Sequence, residues 1–396
     1  MALYLNDRTA VVRAPDSWRS PVGFHRSLEE YQPTPLLESP ALAKRCGLGR
    51  VLIKYEGERF GLPAFKILGA SWATYRLLAE RLGFEPTGSS IAEIAEQFAP
   101  LRPLTLVTAT DGNHGRAVAR AAQWFGLGAE IFMPAGSALA RIQAIESEGA
   151  TVTVVDGDYD AAVAIAAERA DDTHLIVSDT SWDGYSTVPT WIAEGYETLC
   201  VEIDEALSAD PGADPITHLL MPVGVGALAV GIIHHWPQPQ TSAPHNTMPT
   251  APVRIAVEPE TADCLFRSLQ AGRPVPAPGP HSSMMAGMNC GNVSPVAWPI
   301  MAAGVEACIT ISDEPVREAM QLLATESILA GETGAATLGA LIACADGPAD
   351  DRSALGLGPD SVVLCLCTES ATDPTMYEEI VGRSPAAVRT GRSADA

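Results

Sequence analysis

The chain has 396 residues, of which 47% are hydrophobic and 18% are charged. This composition is typical of a globular protein, and the length suffices for two domains or one large domain with an insert. There are 48 acidic and 25 basic residues, so the net charge is −23, which repels nucleic acid and anionic lipid. We therefore expect a small-molecule substrate, and neither a nucleic-acid nor a membrane partner.

The sequence also indicates the cellular compartment of the protein. No stretch is long and apolar enough to span a bilayer, and the first 13 residues contain Asp7 and no apolar core, unlike a signal peptide. The eight cysteines are scattered, which favours reduced thiols over a disulfide scaffold and predicts a cytoplasmic protein. No cysteine spacing indicates a zinc site, so we expect no metal.

Short apolar runs alternate with helical patterns, which predicts an α/β fold with a parallel sheet covered by helices on both faces. The predicted strands and helices come in the following order: strand 50–55, helix 64–82, strand 104–109, helix 115–125, strand 130–134, helix 138–148, strand 151–155, helix 161–170, strands 174–178 and 216–223, helix 227–235, and strands 253–257 and 361–367. In such sheets ligands lie beyond the carboxyl ends of the strands, so the segments that follow the strands are the candidate functional sites.

A lysine stands at the predicted start of a helix in Gly61-Leu62-Pro63-Ala64-Phe65-Lys66-Ile67-Leu68-Gly69-Ala70. Burial and the helix N-terminus both disfavour its charge, so we expect a lowered pKa, as a Schiff-base amine requires. The alternative is a surface lysine whose stem packs on the core, which is the more common situation for a lysine taken alone.

A polar, glycine-containing loop joins a strand to a helix in Thr108-Ala109-Thr110-Asp111-Gly112-Asn113-His114-Gly115. Backbone N–H groups at a helix start can bind a carboxylate, and an asparagine side chain can bond a phenolic oxygen. The alternative is a helix-capping turn, but a cap needs only one of these polar residues.

A third motif, Pro222-Val223-Gly224-Val225-Gly226-Ala227-Leu228, runs from a strand through glycines into a helix. Backbone amides in this geometry can approach a phosphate, although any tight turn can contain glycines. The third glycine of a dinucleotide-binding turn is missing, which makes a nicotinamide enzyme a poor match.

Two further segments end predicted strands. In Cys365-Leu366-Cys367-Thr368-Glu369-Ser370-Ala371-Thr372-Asp373, the two cysteines are more simply explained as buried neighbours on one strand face than as metal ligands. Asp179 follows the strand 174–178. Its side chain either points into the cleft or caps a helix, and residue propensity alone favours neither alternative.

Together, in this order and at these distances, the motifs resemble the pyridoxal-phosphate (PLP) enzymes of fold type II, the tryptophan synthase β-like group. The Asp-Gly-Asn-His-Gly form of the second motif and the segment Ser178-Asp179-Thr180-Ser181-Trp182-Asp183-Gly184-Tyr185 resemble the diaminopropionate ammonia-lyase family within that group. The resemblance extends from about residue 31 to residue 381. It implies two open, twisted, mostly parallel sheets flanked by helices, and PLP as the cofactor.

The resemblance also implies residue roles. Lys66 forms the Schiff base with PLP; Phe65, Asn113, the loop Gly224, Val225, Gly226 and Ala227, and either Cys367 or Thr368 beside the pyridine nitrogen complete the cofactor contacts. Thr110, Asp111, Gly112, His114 and Asp179 bind the substrate, and Lys66, Asp111 and Asp179 are catalytic. The expected reaction is α,β-elimination of 2,3-diaminopropionate to pyruvate and ammonia, which makes the chain a carbon–nitrogen lyase.

The family resemblance further implies a homodimer, with a large PLP-binding domain formed by 1–85 and 206–396 and a small domain formed by 86–205. We expect the tail 384–396 to be disordered.

Three positions depart from the lyase pattern: Pro63 replaces an expected asparagine, Asn292 an expected glutamate, and Ser370-Ala371 an expected Gly-Asp. The alternatives are therefore β-elimination or β-replacement on a different β-substituted amino acid and, from another class, a non-catalytic PLP-binding protein. A redox-labile pair formed by Cys264 and Cys290 is possible, although free buried thiols are the simpler explanation.

Overall fold

A computed structural model describes residues 1–210, 214–237 and 252–391. The strands are β1 (Ala2–Leu5), β2 (Leu36–Glu38), β3 (Arg50–Tyr55), β4 (Thr105–Ala109), β5 (Gly128–Met133), β6 (Thr151–Val154), β7 (His174–Ile176), β8 (His218–Pro222), β9 (Val253–Pro259), β10 (Ala307–Ile311) and β11 (Val362–Cys367). The helices are α1 (Val22–Ser27), α2 (Pro40–Cys46), α3 (Lys66–Leu82), α4 (Ile91–Gln97), α5 (Asn113–Phe125), α6 (Leu139–Glu146), α7 (Tyr159–Glu168), α8 (Thr187–Gly195), α9 (Glu197–Ser208), α10 (Ala227–His235), α11 (Cys264–Ala271), α12 (Trp298–Gly304), α13 (Glu314–Thr325), α14 (Ala336–Asp346), α15 (Ala349–Leu355), α16 (Pro374–Val381) and α17 (Pro385–Arg389).

The described chain forms two compact units. Unit 1 comprises Met1–Ser17, Thr34–Glu58 and Leu199–Ala396, and unit 2 comprises Trp18–Pro33 and Arg59–Thr198. The predicted α/β class with two mostly parallel sheets is confirmed. Unit 1 has a seven-stranded sheet in the order β1-β10-β9-β8-β11-β3-β2, and unit 2 has a four-stranded sheet in the order β6-β5-β4-β7.

The predicted domain boundaries are wrong around the lysine. Residues 59–85 belong to unit 2 and not to the larger unit, because α3 packs against α5 and α8 of unit 2. Residues 18–33 join them there, since the Phe24 ring lies against Trp72 and Tyr75 on α3, with ring centroids 5.7 and 4.6 Å away. Lys66 therefore lies in the same unit as the polar loop that follows β4.

In unit 1, only the two edge strands are antiparallel to their neighbours: β1 pairs with β10, and β2 pairs with β3. The sheet interior is parallel, and its strands are buried on both faces, as expected when helices cover both sides. Cys365 and Cys367 share one core cluster with Val363, which confirms that the two thiols lie on one face of a buried strand. Strand β10 was not predicted, although its sequence is apolar and β-branched.

The four strands of unit 2 are all parallel. The chain passes from β4 outward to β5 and β6, and then returns to place β7 on the other side of β4. The carboxyl ends of β4 and β7 thus lie side by side where the strand order reverses, which is where α/β sheets bind ligands.

The end of the chain also differs from expectation. Residues 385–389 form α17, which Ser384 caps by accepting a hydrogen bond from the Ala387 N–H, so the expected disorder from 384 is wrong for this part. The last five residues lie outside the described part of the chain. Among the described residues, no helix combines the length and apolarity that crossing a membrane requires.

Candidate active site

Lys66 is the first residue of α3, and the loop before it is held firmly. Arg59 and Leu62 exchange backbone hydrogen bonds of 2.8 and 2.9 Å, and the turn between them places Phe60 and Gly61 at φ 52° and 70°. The Arg120 guanidinium donates to the Phe60 carbonyl over 3.1 Å. The start of α3 therefore has a defined position, as a reacting amine requires.

The Lys66 amine forms an ion pair with Asp179, with 2.7 Å between Nζ and Oδ2. Burial lowers the pKa of Lys66, but the charges of Asp179, Tyr196 and Asp111 and the hydrogen bond to Asp179 outweigh it and raise this pKa above its usual value. The expected lowered pKa is thus wrong for this state, because a carboxylate faces the amine. In return, Lys66 lowers the pKa of Asp179 to about 2, against the opposing effect of burial.

Asp179 follows β7 and caps no helix, which argues against the capping alternative: α8 begins later, after Ser186. The backbone beside Asp179 is held by Tyr185, whose hydroxyl accepts from the Ser178 N–H over 2.9 Å and donates to the Ile176 carbonyl over 3.0 Å. The Tyr185 ring stacks on Trp182, with centroids 4.2 Å apart. Asp179 therefore lies on a braced turn.

The polar loop after β4 is closed by Thr110, whose hydroxyl accepts hydrogen bonds from the N–H groups of Gly112 (2.9 Å) and Gly115 (3.0 Å). Gly112 has φ 155°, a conformation that L side chains rarely adopt. Helix α5 then begins at Asn113, and Thr110 takes the N–H of its third residue, Gly115. The dipole of the helix favours an anion at this end. Thr110 itself supports the loop, and the backbone provides the donors.

Two residues of this loop, Asp111 and His114, interact electrostatically with the Lys66–Asp179 ion pair. Burial raises the pKa of Asp111 to about 6, although Arg141 and Lys66 oppose it. His114 Nε2 donates to the Val177 carbonyl over 2.8 Å, which ties the loop to the end of β7, and its Nδ1 lies 3.9 Å from Asp179 Oδ2. Burial lowers the pKa of His114, so the ring is neutral and its Nδ1 is an acceptor.

Unit 1 contains the glycine-rich loop at the carboxyl end of β8. A Cβ on Gly224 would lie 3.1 Å from the Gly287 carbonyl oxygen, and one on Gly226, where φ is 107°, would lie 2.5 Å from Met301 Cε. Helix α10 begins at Ala227 without a side-chain cap. A side chain at Gly224 would thus be tight against the Gly287 backbone, and the positive φ of Gly226 favours glycine. The N–H groups at the start of α10, which has no side-chain cap, are suited to a phosphate.

The end of β11, the strand next to β8, contains the two candidates for a hydrogen bond to the pyridine nitrogen, Cys367 and Thr368. Cys367 packs in the apolar core, and its Sγ donates to the Glu369 carbonyl over 3.5 Å. The buried hydroxyl of Thr368 has no hydrogen-bond partner among the described residues. The hydroxyl of Thr368 thus has the free hydrogen-bonding capacity that a ring nitrogen needs, and the Cys367 thiol has not.

Each unit therefore provides groups that suit PLP. Unit 2 contains an amine at a fixed helix start. Unit 1 contains backbone donors for a phosphate and a hydroxyl that has no partner in the described part of the chain. Within the described residues, no cluster of three or more His, Cys, Asp or Glu side chains could hold a metal ion. All eight cysteines, Cys264 and Cys290 among them, are buried free thiols.

Three residues near Lys66 were missed by the sequence analysis. They are Tyr185, which braces the Asp179 turn, Arg141, whose side chain lies against Gly112, and Tyr196, whose ring centroid is 4.7 Å from that of Phe65. The Trp182-Asp183-Gly184-Tyr185 turn was visible in the sequence next to Asp179. Neither Arg141 nor Tyr196 lies within a motif, so no local signal indicated them.

Comparisons with known proteins identify the family of the chain. The family model "Pyridoxal-phosphate dependent enzyme" matches residues 28–369. The diaminopropionate ammonia-lyase of Escherichia coli K12 is 37% identical over 380 residues, which cover 92% of this chain and 91% of the relative. A crystal structure of the Escherichia coli enzyme with D-serine has a TM-score of 0.84 and 34% identity, and another with an aminoacrylate–PLP azomethine reaction intermediate has a TM-score of 0.82 and 34% identity; each match covers 96% of both chains. The chain is therefore a pyridoxal-phosphate-dependent enzyme that belongs to the diaminopropionate ammonia-lyase family.

Proposed function

We propose that this enzyme catalyses the α,β-elimination of 2,3-diaminopropionate to pyruvate and ammonia. The observation that carries the proposal is a single lysine accompanied by two aspartates with opposite pKa shifts, about 6 for Asp111 and about 2 for Asp179. A diamino acid carries one more ammonium than an ordinary amino acid, and carboxylates are the groups that bind it best.

We assign the cofactor contacts residue by residue. Lys66 bonds the cofactor, Phe65 flanks the lysine, Asn113 bonds the ring oxygen, and the loop Gly224, Val225, Gly226 and Ala227 binds the phosphate. Thr368 takes the place at the ring nitrogen in preference to Cys367, because only its hydroxyl lacks a partner among the described side chains. When bound, PLP supplies an electron sink for the negative charge that develops at the substrate Cα.

The protein groups then bind and move protons. The backbone of the loop Thr110, Asp111, Gly112, Asn113 and His114 binds the substrate carboxylate at the start of α5. Asp111 has a pKa near neutrality, so it can both accept the α-proton of one enantiomer and return it. Asp179 stays ionised and orients Lys66, and this pair serves the other enantiomer. Protonation lets the β-amine leave as ammonia, and the released 2-aminoacrylate hydrolyses to pyruvate and a second ammonia.

A different β-substituted amino acid, in elimination or replacement, is the second candidate. Pro63, Asn292 and Ala371 depart from the lyase pattern, and two of these changes remove carboxylates that could bind the extra ammonium. We also propose that the enzyme is a cytoplasmic homodimer. The family resemblance supports the dimer, and the eight free thiols support a reducing compartment.

The test is to incubate the PLP-loaded enzyme separately with L- and D-diaminopropionate and to measure pyruvate. We expect pyruvate from at least one enantiomer and none from the Lys66→Ala variant. A yellow, PLP-loaded enzyme that releases no pyruvate from either enantiomer would exclude the proposed substrate. Addition of a nucleophile that diverts product from pyruvate to a new amino acid would favour β-replacement. A chain that never binds PLP would contradict the cofactor contacts assigned above.

A further inference from the structure

Residues 59–62 form the turn that precedes α3, and its backbone is unfavourable for one of its own residues. Phe60 and Gly61, at the centre of the turn, have φ values of 52° and 70°, and the outer two residues exchange backbone hydrogen bonds. Turns with two positive φ values favour glycine, asparagine or aspartate, because other side chains are strained in the left-handed conformation. Of the described non-glycine residues, only Phe60 and Ser327 have a positive φ. Contacts outside the turn must therefore hold Phe60 in place.

Helix α5 provides two contacts that hold Phe60. Arg120 Nη1 donates a hydrogen bond to the Phe60 carbonyl over 3.1 Å. The Phe60 ring packs edge-on against Trp124, with ring centroids 5.4 Å apart. Arg120 and Trp124 are four residues apart on α5 and therefore lie on one face of the helix. One helix face thus holds both the carbonyl and the ring of the residue whose backbone is strained.

A buried carboxylate in turn holds Arg120. Arg120 Nε donates to Glu148 Oε2 over 2.6 Å, and Arg116 Nε donates to Oε1 of the same carboxylate over 2.9 Å. The Glu148 side chain is only 4% exposed, so loss of either guanidinium would leave its charge poorly compensated in a site that water hardly reaches. The Arg120 side chain is therefore fixed at its Nε by Glu148, while its Nη1 reaches the Phe60 carbonyl.

We propose that Arg120 is a positioning residue for Lys66, and that the Glu148–Arg120 pair keeps the 59–62 turn in the conformation that sets where α3 begins. Three residues lie between this turn and Lys66, and the first of them, Pro63, has a fixed φ, so a shift of the turn is passed on to the lysine. The inference rests on the proposed role of Lys66. A displacement of about 1 Å at a reacting group can lower a rate by roughly 10²-fold, so Arg120 affects turnover without touching the reacting atoms.

The test variant is Arg120→Met, which keeps an unbranched side chain and removes its donors. Arg116→Met is the matched control, because Arg116 binds the same carboxylate but donates to Glu148 rather than to the turn. With the PLP-loaded enzyme and diaminopropionate, Arg120→Met should lower kcat about tenfold with little change in KM, and Arg116→Met should lower it less than about twofold. Urea unfolding should show similar losses of stability in the two variants, since each leaves Glu148 with one guanidinium.

A second readout needs no substrate. The visible circular dichroism of bound PLP, divided by its absorbance, reports how rigidly the protein holds the cofactor to which Lys66 is bonded. This ratio should be about twofold lower in Arg120→Met and unchanged in Arg116→Met. If Arg120→Met does not fold, Arg120→Lys should lower the same ratio and kcat, because its charge stays beside Glu148 but a lysine lacks the rigid fork that reaches carboxylate and carbonyl together.

The strain at Phe60 provides a rescue experiment. Glycine adopts a positive φ readily, so Phe60→Gly lets the turn form without the arginine. In that background, Arg120→Met should lower kcat less than about twofold. Phe60→Ala is the control, because it also lacks the ring but keeps a side chain in the unfavourable conformation, and the loss caused by Arg120→Met should stay about tenfold there.

Two outcomes would overturn the proposal. One is equal kcat and equal dichroism in Arg120→Met and Arg116→Met, and the other is a loss of kcat that persists undiminished in the Phe60→Gly background. Failure of the proposed function would look different. A wild-type enzyme that forms no pyruvate leaves the dichroism comparison intact, and borohydride-treated enzyme whose Lys66 carries no PLP would contradict the role of the lysine.

Discussion

The two units differ in the kind of group they place at the carboxyl ends of their strands. In unit 2, the segments after β4 and β7 present charged side chains, namely Asp111 and Asp179, and the same unit contains Lys66. In unit 1, the segments after β8 and β11 contain the glycines Gly224 and Gly226 and the uncharged Cys367 and Thr368. The next residue, Glu369, is charged but accepts the Thr333 N–H. In the proposed function the groups of unit 2 move protons, and those of unit 1 bind the cofactor.

In the proposed function, proton transfer depends on charged side chains of unit 2, and phosphate binding depends on backbone groups of unit 1. Charged groups near one another change each other's pKa, as Lys66 and Asp179 do, and such changes are sensitive to every neighbouring charge. Backbone donors do not titrate, so the pH dependence of a phosphate site made from them comes from the phosphate itself. Substitutions in unit 2 should therefore change rates and pH profiles, whereas those in unit 1 should change cofactor affinity.

The largest effect is expected for Lys66→Ala. Pyruvate formation should fall by roughly 10³-fold or more, because both covalent attachment and one proton carrier are lost. Cofactor should still bind non-covalently, since the proposed phosphate donors are backbone groups. Lys44→Ala, at an exposed lysine, is the control and should leave turnover unchanged. Turnover in Lys66→Ala within tenfold of the wild type would contradict the role of the lysine.

Asp179→Asn should reduce both activity and stability. Turnover should fall by roughly 10²-fold because Lys66 loses its orienting carboxylate. The native pKa of Asp179 is about 2 against an ordinary 3.8, so its ionised form stabilises the fold. We expect the variant to be less stable by about 2 kcal/mol above pH 4, and this difference to disappear as the pH falls towards 2. Urea unfolding at pH 7 and at low pH measures it, and a difference that is the same at both pH values would contradict it.

Asp111→Asn should reduce activity and yet increase stability. Its pKa is raised to about 6, so the folded state disfavours its ionised form: the contribution of Asp111 to stability is fully present below pH 3.8 and is lost as the pH rises through 6. The asparagine variant should therefore be more stable at pH 7 by about 1 to 2 kcal/mol, with no such gain below pH 4. Its kcat/KM for one enantiomer should fall, and the acidic limb near pH 6 should vanish. If Asp111→Asn lost as much stability as Asp179→Asn, the predicted difference between the two aspartates would be contradicted.

Much of this arrangement could be predicted from the sequence. Strands β3, β4, β8 and β11 were found at nearly their observed bounds because apolar runs ended by turn residues are strong local signals. The candidate residues Lys66, Asp111 and Asp179 were found for the same reason, since each follows a strand or starts a helix. These features depend on residues that are adjacent in sequence.

Features that depend on distant residues were missed or mistaken. The pKa of Lys66 was predicted to fall, but Asp179, more than a hundred residues away, raises it. The domain boundary was misplaced because the sequence does not show that α3 packs with α5 and α8. Tyr196 was missed because its position beside Lys66 depends on the missing side chain of Gly69. Both mistakes and the omission arise from tertiary packing, which leaves no periodic pattern in the sequence.

In unit 1, Gly226→Ala should weaken PLP binding about tenfold, since the new Cβ would lie 2.5 Å from Met301 Cε and displace the loop. Gly136→Ala is the matched control: its φ of 82° is equally unfavourable for alanine, but no atom lies within 4 Å of the new Cβ. Both variants should lose about 1 kcal/mol of stability from backbone strain. Only Gly226→Ala should need more PLP for half-saturation of absorbance, and equal PLP affinity in both would contradict a phosphate role for the loop.

The smallest and most discriminating effects are expected at the end of β11. Thr368→Val removes a hydroxyl that has no partner among the described residues, so PLP affinity should fall about threefold to tenfold while the free energy of unfolding of the PLP-free chain stays the same or rises. Cys367→Ala removes a thiol from a packed core, so it should cost about 1 to 2 kcal/mol of stability and leave PLP affinity unchanged. Titration with PLP measures affinity, and urea unfolding measures stability. If Thr368 contacts the ring, Thr368→Val changes only the affinity and Cys367→Ala changes only the stability. If PLP binding weakened only in Cys367→Ala, the contact would belong to Cys367. The group at the ring nitrogen would then be a thiol, which is a weaker hydrogen-bond donor than a hydroxyl.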